Sequence, residues 1–177
     1  MKKIKTVLFD LDGTLLPMDQ DTFVKAYLGG LVKIAAGYGY DPNLLAKSIM
    51  MGTYAMVKND GSKSNEDAFW QYMQSVFGDK IMGDYHIFDD YYRTDFQKVA
   101  EVCGNNPKAN EIVKQVKAKG LRAILATNPL FPRIATESRA RWAGLDKNDF
   151  DEITTFEDYT HCKPNLDYYR DIIAKFN

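Results

Sequence analysis

Asp10-Leu11-Asp12-Gly13-Thr14 sets two carboxylates, a glycine and a hydroxyl directly behind the apolar run Val7-Leu8-Phe9, where a strand ends. Carboxylates at i and i+2 lie near enough to share a divalent cation and a substrate, and to perturb each other's ionisation. The plain alternative is an Asp-Gly turn closing a strand, which alone is common. Two later segments carry matching chemistry. Thr127-Asn128-Pro129 follows the apolar run from Leu121 to Ala126, and Lys163-Pro164 precedes an amphipathic stretch. Active groups of open α/β sheets gather at the carboxyl ends of strands, so these distant residues can converge. Together they make an inventory for phosphoryl transfer: a carboxylate nucleophile, a second carboxylate, a hydroxyl with nearby backbone N–H groups, and a cation.

The strand that must carry Asp10 runs from Lys5 to Asp10. After a polar loop, Phe23, Tyr27, Leu31 and Ile34 recur at helical spacing and predict a helix over 21–36. Asp41-Pro42 is an N-cap and first helical position, opening a second helix to about Lys58. Asn59-Asp60-Gly61-Ser62 is a turn. A third helix starts near Asn65, with Phe69, Tyr72, Met73, Val76 and Phe77 on one stripe, and another helical segment runs through 87–101. From Ser48 to Phe96 the apolar residues are rich in Met and aromatics, which reads as helix-bundle core rather than a flexible ligand surface.

The pattern changes near residue 105. Asn106-Pro107 opens a helix whose Ala109, Ile112, Val113 and Val116 face one way, stopped by Gly120. The strand Leu121–Ala126 carries Thr127 at its end, and a helix over about 133–142 is stopped by Gly144. Glu152 to Phe156 is a third short strand, and the helix after Lys163-Pro164 sets Tyr169, Ile172, Ile173 and Phe176 on one face. Strands alternating with helices at both ends predict an α/β fold with a parallel sheet. The helical block between them has no strand partner. It reads as an insertion after the first strand, giving a core of residues 1–17 and 101–177 and a helical unit of 18–100.

At 177 residues, 45% apolar and 27% charged, the composition is that of a globular protein. A formal charge of −1 gives no footprint for nucleic acid and no polybasic membrane signal. Met1-Lys2-Lys3 resembles the start of a signal peptide, but Asp10 interrupts the apolar run that follows. No stretch approaches the ~18 apolar residues of a membrane span. Cys103 and Cys162 lack metal-type spacing, and free thiols point to a cytoplasmic protein.

With Asp10-x-Asp12-Gly13-Thr14, Thr127-Asn128 and Lys163-Pro164 in that order, the sequence resembles the haloacid dehalogenase superfamily, specifically its subfamily I with a helical type-1 cap. The resemblance covers the α/β parts and implies a Rossmann-like core. It implies a phosphatase acting on a small phosphorylated metabolite. Asp10 would attack phosphorus and form an aspartyl-phosphate. Asp12 would protonate the leaving alcohol and then deprotonate water, a residue choice that separates the chain from dehalogenases and ion-pumping ATPases. Mg²⁺ would be held by the Asp10 carboxylate and the Asp12 backbone carbonyl. Thr127 and the Asn128 N–H would hold phosphate oxygens, with Asn128 extended by Pro129, and Lys163 would balance charge. His161, Cys162, His86, Arg93, Lys25 and Lys33 receive no role.

The superfamily's fourth motif, an acidic cluster on a further strand, has no match after Lys163. Asp89-Asp90 and Asp149-Phe150-Asp151 lie in the wrong places to replace it. The expectation is therefore a core lacking its C-terminal strands, with the first strand as an exposed edge. That fits the front part of a longer gene product, with a short family member or completion by another chain as alternatives. Hydrolysis by such a chain would be impaired. A phosphomutase and a non-catalytic binding protein that keeps the fold are the competing functions. Substrate identity and oligomeric state are not written in the sequence.

Overall fold

Thr6–Phe9 (β1) is a run of strand-forming residues, and in the computed structural model, which describes residues 4–176, it pairs in parallel with Arg122–Leu125 (β2). The register sets Thr6 opposite Arg122 and Phe9 opposite Leu125. On its other side β2 pairs in parallel with Glu152–Ile153 (β3), so the strand order is β1-β2-β3. The central strand carries the wholly buried Ala123, Ile124 and Leu125, as expected of a strand covered on both faces. β1 is an edge, and Leu8 is 39% exposed there. β3 is shorter than the expected 152–156. The Thr154 N–H still donates to Leu125 O (3.1 Å), and side chains then take over: the Thr154 hydroxyl donates to the Thr127 carbonyl (2.6 Å) and the Thr155 hydroxyl to Asp158 (3.0 Å).

Between β1 and β2 the chain forms Gln20–Ala36 (α1), Pro42–Val57 (α2), Asn65–Phe77 (α3), Asp79–Gly83 (α4) and Tyr85–Arg93 (α5), a 3₁₀ segment Asp95–Val102, and Lys108–Ala118 (α6). Side-chain caps start the first three. Asp19 accepts from the Thr22 N–H (2.9 Å), Asp41 from that of Leu44 (2.7 Å) and Ser64 from that of Asp67 (3.0 Å). The helix expected through 87–101 is interrupted. The Thr94 hydroxyl bonds back to the Asp90 carbonyl (2.7 Å), the backbone leaves helical angles at Thr94, and the chain tightens into 3₁₀ geometry. On α3, Trp70 rather than Val76 joins the buried stripe.

Arg133–Trp142 (α7) and Leu166–Phe176 (α8) complete the α/β part. Ala109 and Val113 of α6 and Ala140 of α7 pack with Ala123 and Leu125 on one face of the sheet, while Tyr168 and Ile172 of α8 pack with Ile124 and Ala126 on the other. Two expected faces are rotated: Ile112 on α6 and Ile173 on α8 are exposed. In α8 the buried Tyr168 hydroxyl reaches Thr127, and that fixes the rotation.

The two passages between sheet and helical block run side by side. Gly104 N–H donates to the Pro17 carbonyl (2.7 Å), and Met18 bridges to Cys103. The start of α3 is also tied to the α/β part. Asn65 is wholly buried; its N–H donates to Tyr159 O (2.9 Å) and its amide to Pro129 O (3.2 Å). The core of the block accordingly continues from Phe23, Tyr27, Met73 and Phe96 into Ala135, Phe156 and Cys162.

Burial makes this core sensitive to alkali. Desolvation pushes Tyr27 up from 10.0 to about 12, partly offset by its hydrogen bond with Tyr92, and pushes the Cys162 thiol up from 9.0 to about 12. Both groups hold their proton more tightly when folded. Their contribution is therefore complete below the unfolded values of 9.0 and 10.0 and is lost as pH rises towards about 12. The urea midpoint is expected to fall between about pH 8 and about pH 11; an unchanged midpoint over that range would contradict this account.

Candidate active site

Asp10 is the first residue past β1, and the loop behind it is closed by its own backbone. Thr14 and Leu16 N–H both donate to the Leu11 carbonyl (3.1 and 2.9 Å), and Gly13 N–H donates to Leu16 O (2.9 Å). Gly13 has φ +76°, a region where a Cβ is costly, so glycine permits this turn. Leu11, Leu15 and Leu16 are buried and anchor the loop, leaving Asp10 and Asp12 free to turn towards the sheet's carboxyl end. The Thr14 hydroxyl donates to Asp10 Oδ2 (2.9 Å).

The convergence expected across the sequence is present in the geometry. Lys163 Nζ donates to Asp10 Oδ1 at 2.8 Å, with the side chains 24% and 39% exposed. Ala126 N–H donates to Phe9 O (2.7 Å), extending the pairing one step so that Ala126 stands opposite Asp10 and Thr127 follows at the same end of the sheet. Asn128 takes part through its side chain: Oδ1 accepts the Lys163 N–H (3.0 Å) and ties the two loops together. Thr127 is buried, and its carbonyl accepts both the Thr154 hydroxyl (2.6 Å) and the Tyr168 hydroxyl (2.9 Å). Tyr168→Phe is expected to remove one of these buried bonds and cost about 1 kcal/mol, because Thr154 still satisfies the carbonyl. A urea midpoint equal to that of the parent chain would show that the hydroxyl contributes nothing.

Arg139 was not among the expected site residues. It is fully buried on α7, with side-chain exposure of 0%, and forms an ion pair with Asp12, whose side chain is 21% exposed. Its Nε and Nη2 also reach the Ala135 carbonyl (3.4 Å) and the Thr136 hydroxyl (3.3 Å), and its guanidinium stacks on Phe131 at 4.2 Å. A buried guanidinium needs a counter-charge, and Asp12 supplies it. The pair engages Asp12 Oδ2, while Oδ1 is buried with no hydrogen-bond partner among the described residues. The signal available in the sequence is an arginine set among the small residues Ala135, Thr136, Ala140 and Ala143 on one helical stripe.

Among the described residues, no three His, Cys, Asp or Glu side chains form a metal cluster. The donors present still suit Mg²⁺, which is commonly held by one or two carboxylates with water and substrate phosphate. The Asp10 carboxylate is accessible at a strand end, and with the Asp12 backbone carbonyl two residues on it offers hard oxygens of the kind Mg²⁺ takes. The residues left without a role stand apart. His161 bonds Asp171 (3.0 Å), His86 is exposed beside Tyr38, Arg93 pairs with Asp89 (2.8 Å), and Lys25 and Lys33 are exposed on α1. Among the described residues, no helix is long and apolar enough to cross a membrane.

A family model described as haloacid dehalogenase-like hydrolase matches residues 4–177. No curated protein matches the sequence. The L-2-haloacid dehalogenase of Xanthobacter autotrophicus aligns over 98% of this chain and 65% of its own, at 14% identity and a TM-score of 0.48. This chain thus spans slightly less than two thirds of that enzyme's length. A predicted phosphoglycolate phosphatase of Haemophilus somnus aligns over 99% of this chain and 73% of its own, at 18% identity and a TM-score of 0.49. At these scores neither likeness adds weight to the family match.

Proposed function

Because the chain belongs to the haloacid dehalogenase-like hydrolases, we propose that it is a Mg²⁺-dependent phosphatase of small phosphorylated metabolites, working through an aspartyl-phosphate. The observation that carries this reading is the contact of Lys163 Nζ with Asp10 Oδ1 at 2.8 Å, beside a second carboxylate at Asp12. The carboxylate is exposed enough to meet a substrate, held at a strand end, and steadied on its two oxygens by Lys163 and Thr14.

In this reading an Asp10 oxygen attacks phosphorus in line, and the bond to the leaving oxygen breaks. Asp12 relays to that oxygen the proton that the monoanion of the phosphate ester brings, and Oδ1 is the atom left free to do so. Asp12 then takes a proton from the water that opens the aspartyl-phosphate and passes it to the departing phosphate, which restores both carboxylates. Lys163 offsets the charge gathered at Asp10 and the phosphoryl group, and the Thr127 hydroxyl and Asn128 N–H receive phosphoryl oxygens. Mg²⁺ would be held by the Asp10 carboxylate and the Asp12 backbone carbonyl and would reduce repulsion between nucleophile and phosphate. Residues 18–100 act as the cap, since α1, α2, α3 and α5 all line the cavity next to Asp12. Two free thiols suit the reducing cytoplasm.

The test is release of inorganic phosphate from an aryl phosphate with Mg²⁺ present, repeated in excess chelator. Chelator-sensitive release is expected. Transfer of the phosphoryl group to an added sugar without net release would instead identify a mutase. No turnover of any phosphomonoester would overturn both readings.

A further inference from the structure

Between the helical block and the loop after β2 lies a cavity of about 180 Å³, walled by Phe23, Trp70, Phe88, Tyr92 and Phe131. Asp12 is the one residue that it shares with the proposed chemistry; Asp10, Thr127 and Lys163 are not part of its lining. That placement fixes what the cavity receives. In an in-line displacement the leaving oxygen lies opposite the attacking Asp10 oxygen, within reach of Asp12. Its organic substituent must then continue into the space beyond Asp12.

Apart from Gln20, which is exposed on the first turn of α1, the wall offers this substituent little polarity. Tyr27 and Tyr92 hydroxyls bond each other (3.0 Å), the Thr53 hydroxyl donates to Ile49 O (2.9 Å), and the Tyr85 hydroxyl donates to Glu66 (3.3 Å). Asp89 is engaged by Arg93 at 2.8 Å. No Lys, Arg or His is among the lining residues, whose ionisable carboxylates are Asp12 and Asp89. A polyol placed here would give up water for hydroxyls that find few partners. An anionic group would find no free cation here and a cationic group no free carboxylate, because Asp12 and Asp89 are already paired with Arg139 and Arg93. The size is also restrictive, since a cavity of roughly 150 Å³ holds one benzene. The buried Trp70 Nε1, without a partner among the described residues, leaves one donor for a single acceptor atom.

We propose that the substrate is the phosphate monoester of a small, uncharged, largely apolar alcohol about the size of one aromatic ring. This deepens the phosphatase reading and rests on it. The test compares kcat/KM with Mg²⁺ for benzyl phosphate, glucose 6-phosphate, phosphoglycerate and phosphocholine, with methyl phosphate as the reference. Benzyl phosphate is expected to exceed the sugar, acid and choline esters at least about tenfold. Val24→Trp, which places bulk in the cavity from α1, is expected to lower the benzyl ester at least about tenfold more than the methyl ester. Met50→Trp at the half-exposed rim serves the same purpose should Val24→Trp not fold. Equal or better turnover of a sugar, acid or choline ester, or equal losses on benzyl and methyl esters, would overturn the proposal. If no ester is turned over, the phosphatase reading falls and the cavity is tested by calorimetry alone. Benzylphosphonate is then expected to bind more tightly than methylphosphonate, and equal or absent binding would overturn the cavity assignment.

Discussion

Asp10→Asn is expected to lower Mg²⁺-dependent phosphate release by more than about a thousandfold while leaving the protein folded. An amide keeps the shape of the carboxylate but cannot form the acyl phosphate, so the two-step route closes. The fold should not depend on the charge. Asp10 and Lys163 are partly exposed, at 39% and 24%, and pairs of this kind contribute about 1 kcal/mol or less. The Thr14 hydroxyl can still donate to the amide oxygen. The melting temperature is therefore expected to move by no more than about 4 °C. Phosphate release at a parental rate from the folded variant would remove Asp10 from the nucleophile's role, and with it the covalent reading.

Asp10 was legible because its motif is local: four of five residues adjacent in sequence set up one loop, and Gly13 marks its turn. Thr127 and Lys163 were legible because each follows an apolar run or precedes a helix, and parallel sheets bring strand ends together. Several helices were readable for similar reasons, since Asp41, Gly120 and Gly144 punctuate them. What was hidden depends on contacts across long separations. Periodicity on α8 favours Tyr169 and Ile173, yet the chain buries Tyr168, whose hydroxyl has a partner in Thr127. The interruption at Thr94 arises from one side chain bonding back to the turn before it, which apolar spacing does not register. Asn65 reads as the start of a helix, and only folding shows that it fastens α3 to the loops carrying Pro129 and Cys162. Arg139 resembles an ordinary basic residue in the last turn of a helix, where it would favour the dipole. Its burial follows from Asp12, which is 127 residues away.

That distant pair makes the two carboxylates unequal under mutation. Asp12→Ala is expected to lose stability as well as activity, because it leaves a wholly buried guanidinium without a counter-charge. Breaking a buried pair from one side typically costs about 3–5 kcal/mol, and the partial exposure of Asp12 argues for the lower end. A loss of about 3 kcal/mol lowers the melting temperature by roughly 6–12 °C for a chain of this size. Arg139→Met should cost less, since Asp12 can turn its freed oxygen to water, although the stacking on Phe131 is lost. The double variant is the decisive member of the set. With neither charge buried, it is expected to be more stable than Asp12→Ala alone, giving a strongly non-additive cycle in thermal or urea unfolding. Additive effects would mean that the pair contributes nothing to the fold. Arg139→Lys separates charge from geometry: a lysine keeps the positive charge but loses the planar fork that engages Oδ2 and the helix together. If the fork is what leaves Oδ1 as the proton-exchanging oxygen, Arg139→Lys should lower kcat about tenfold with KM little changed. A parental kcat in a folded Arg139→Lys protein would reduce the arginine to a structural counter-charge.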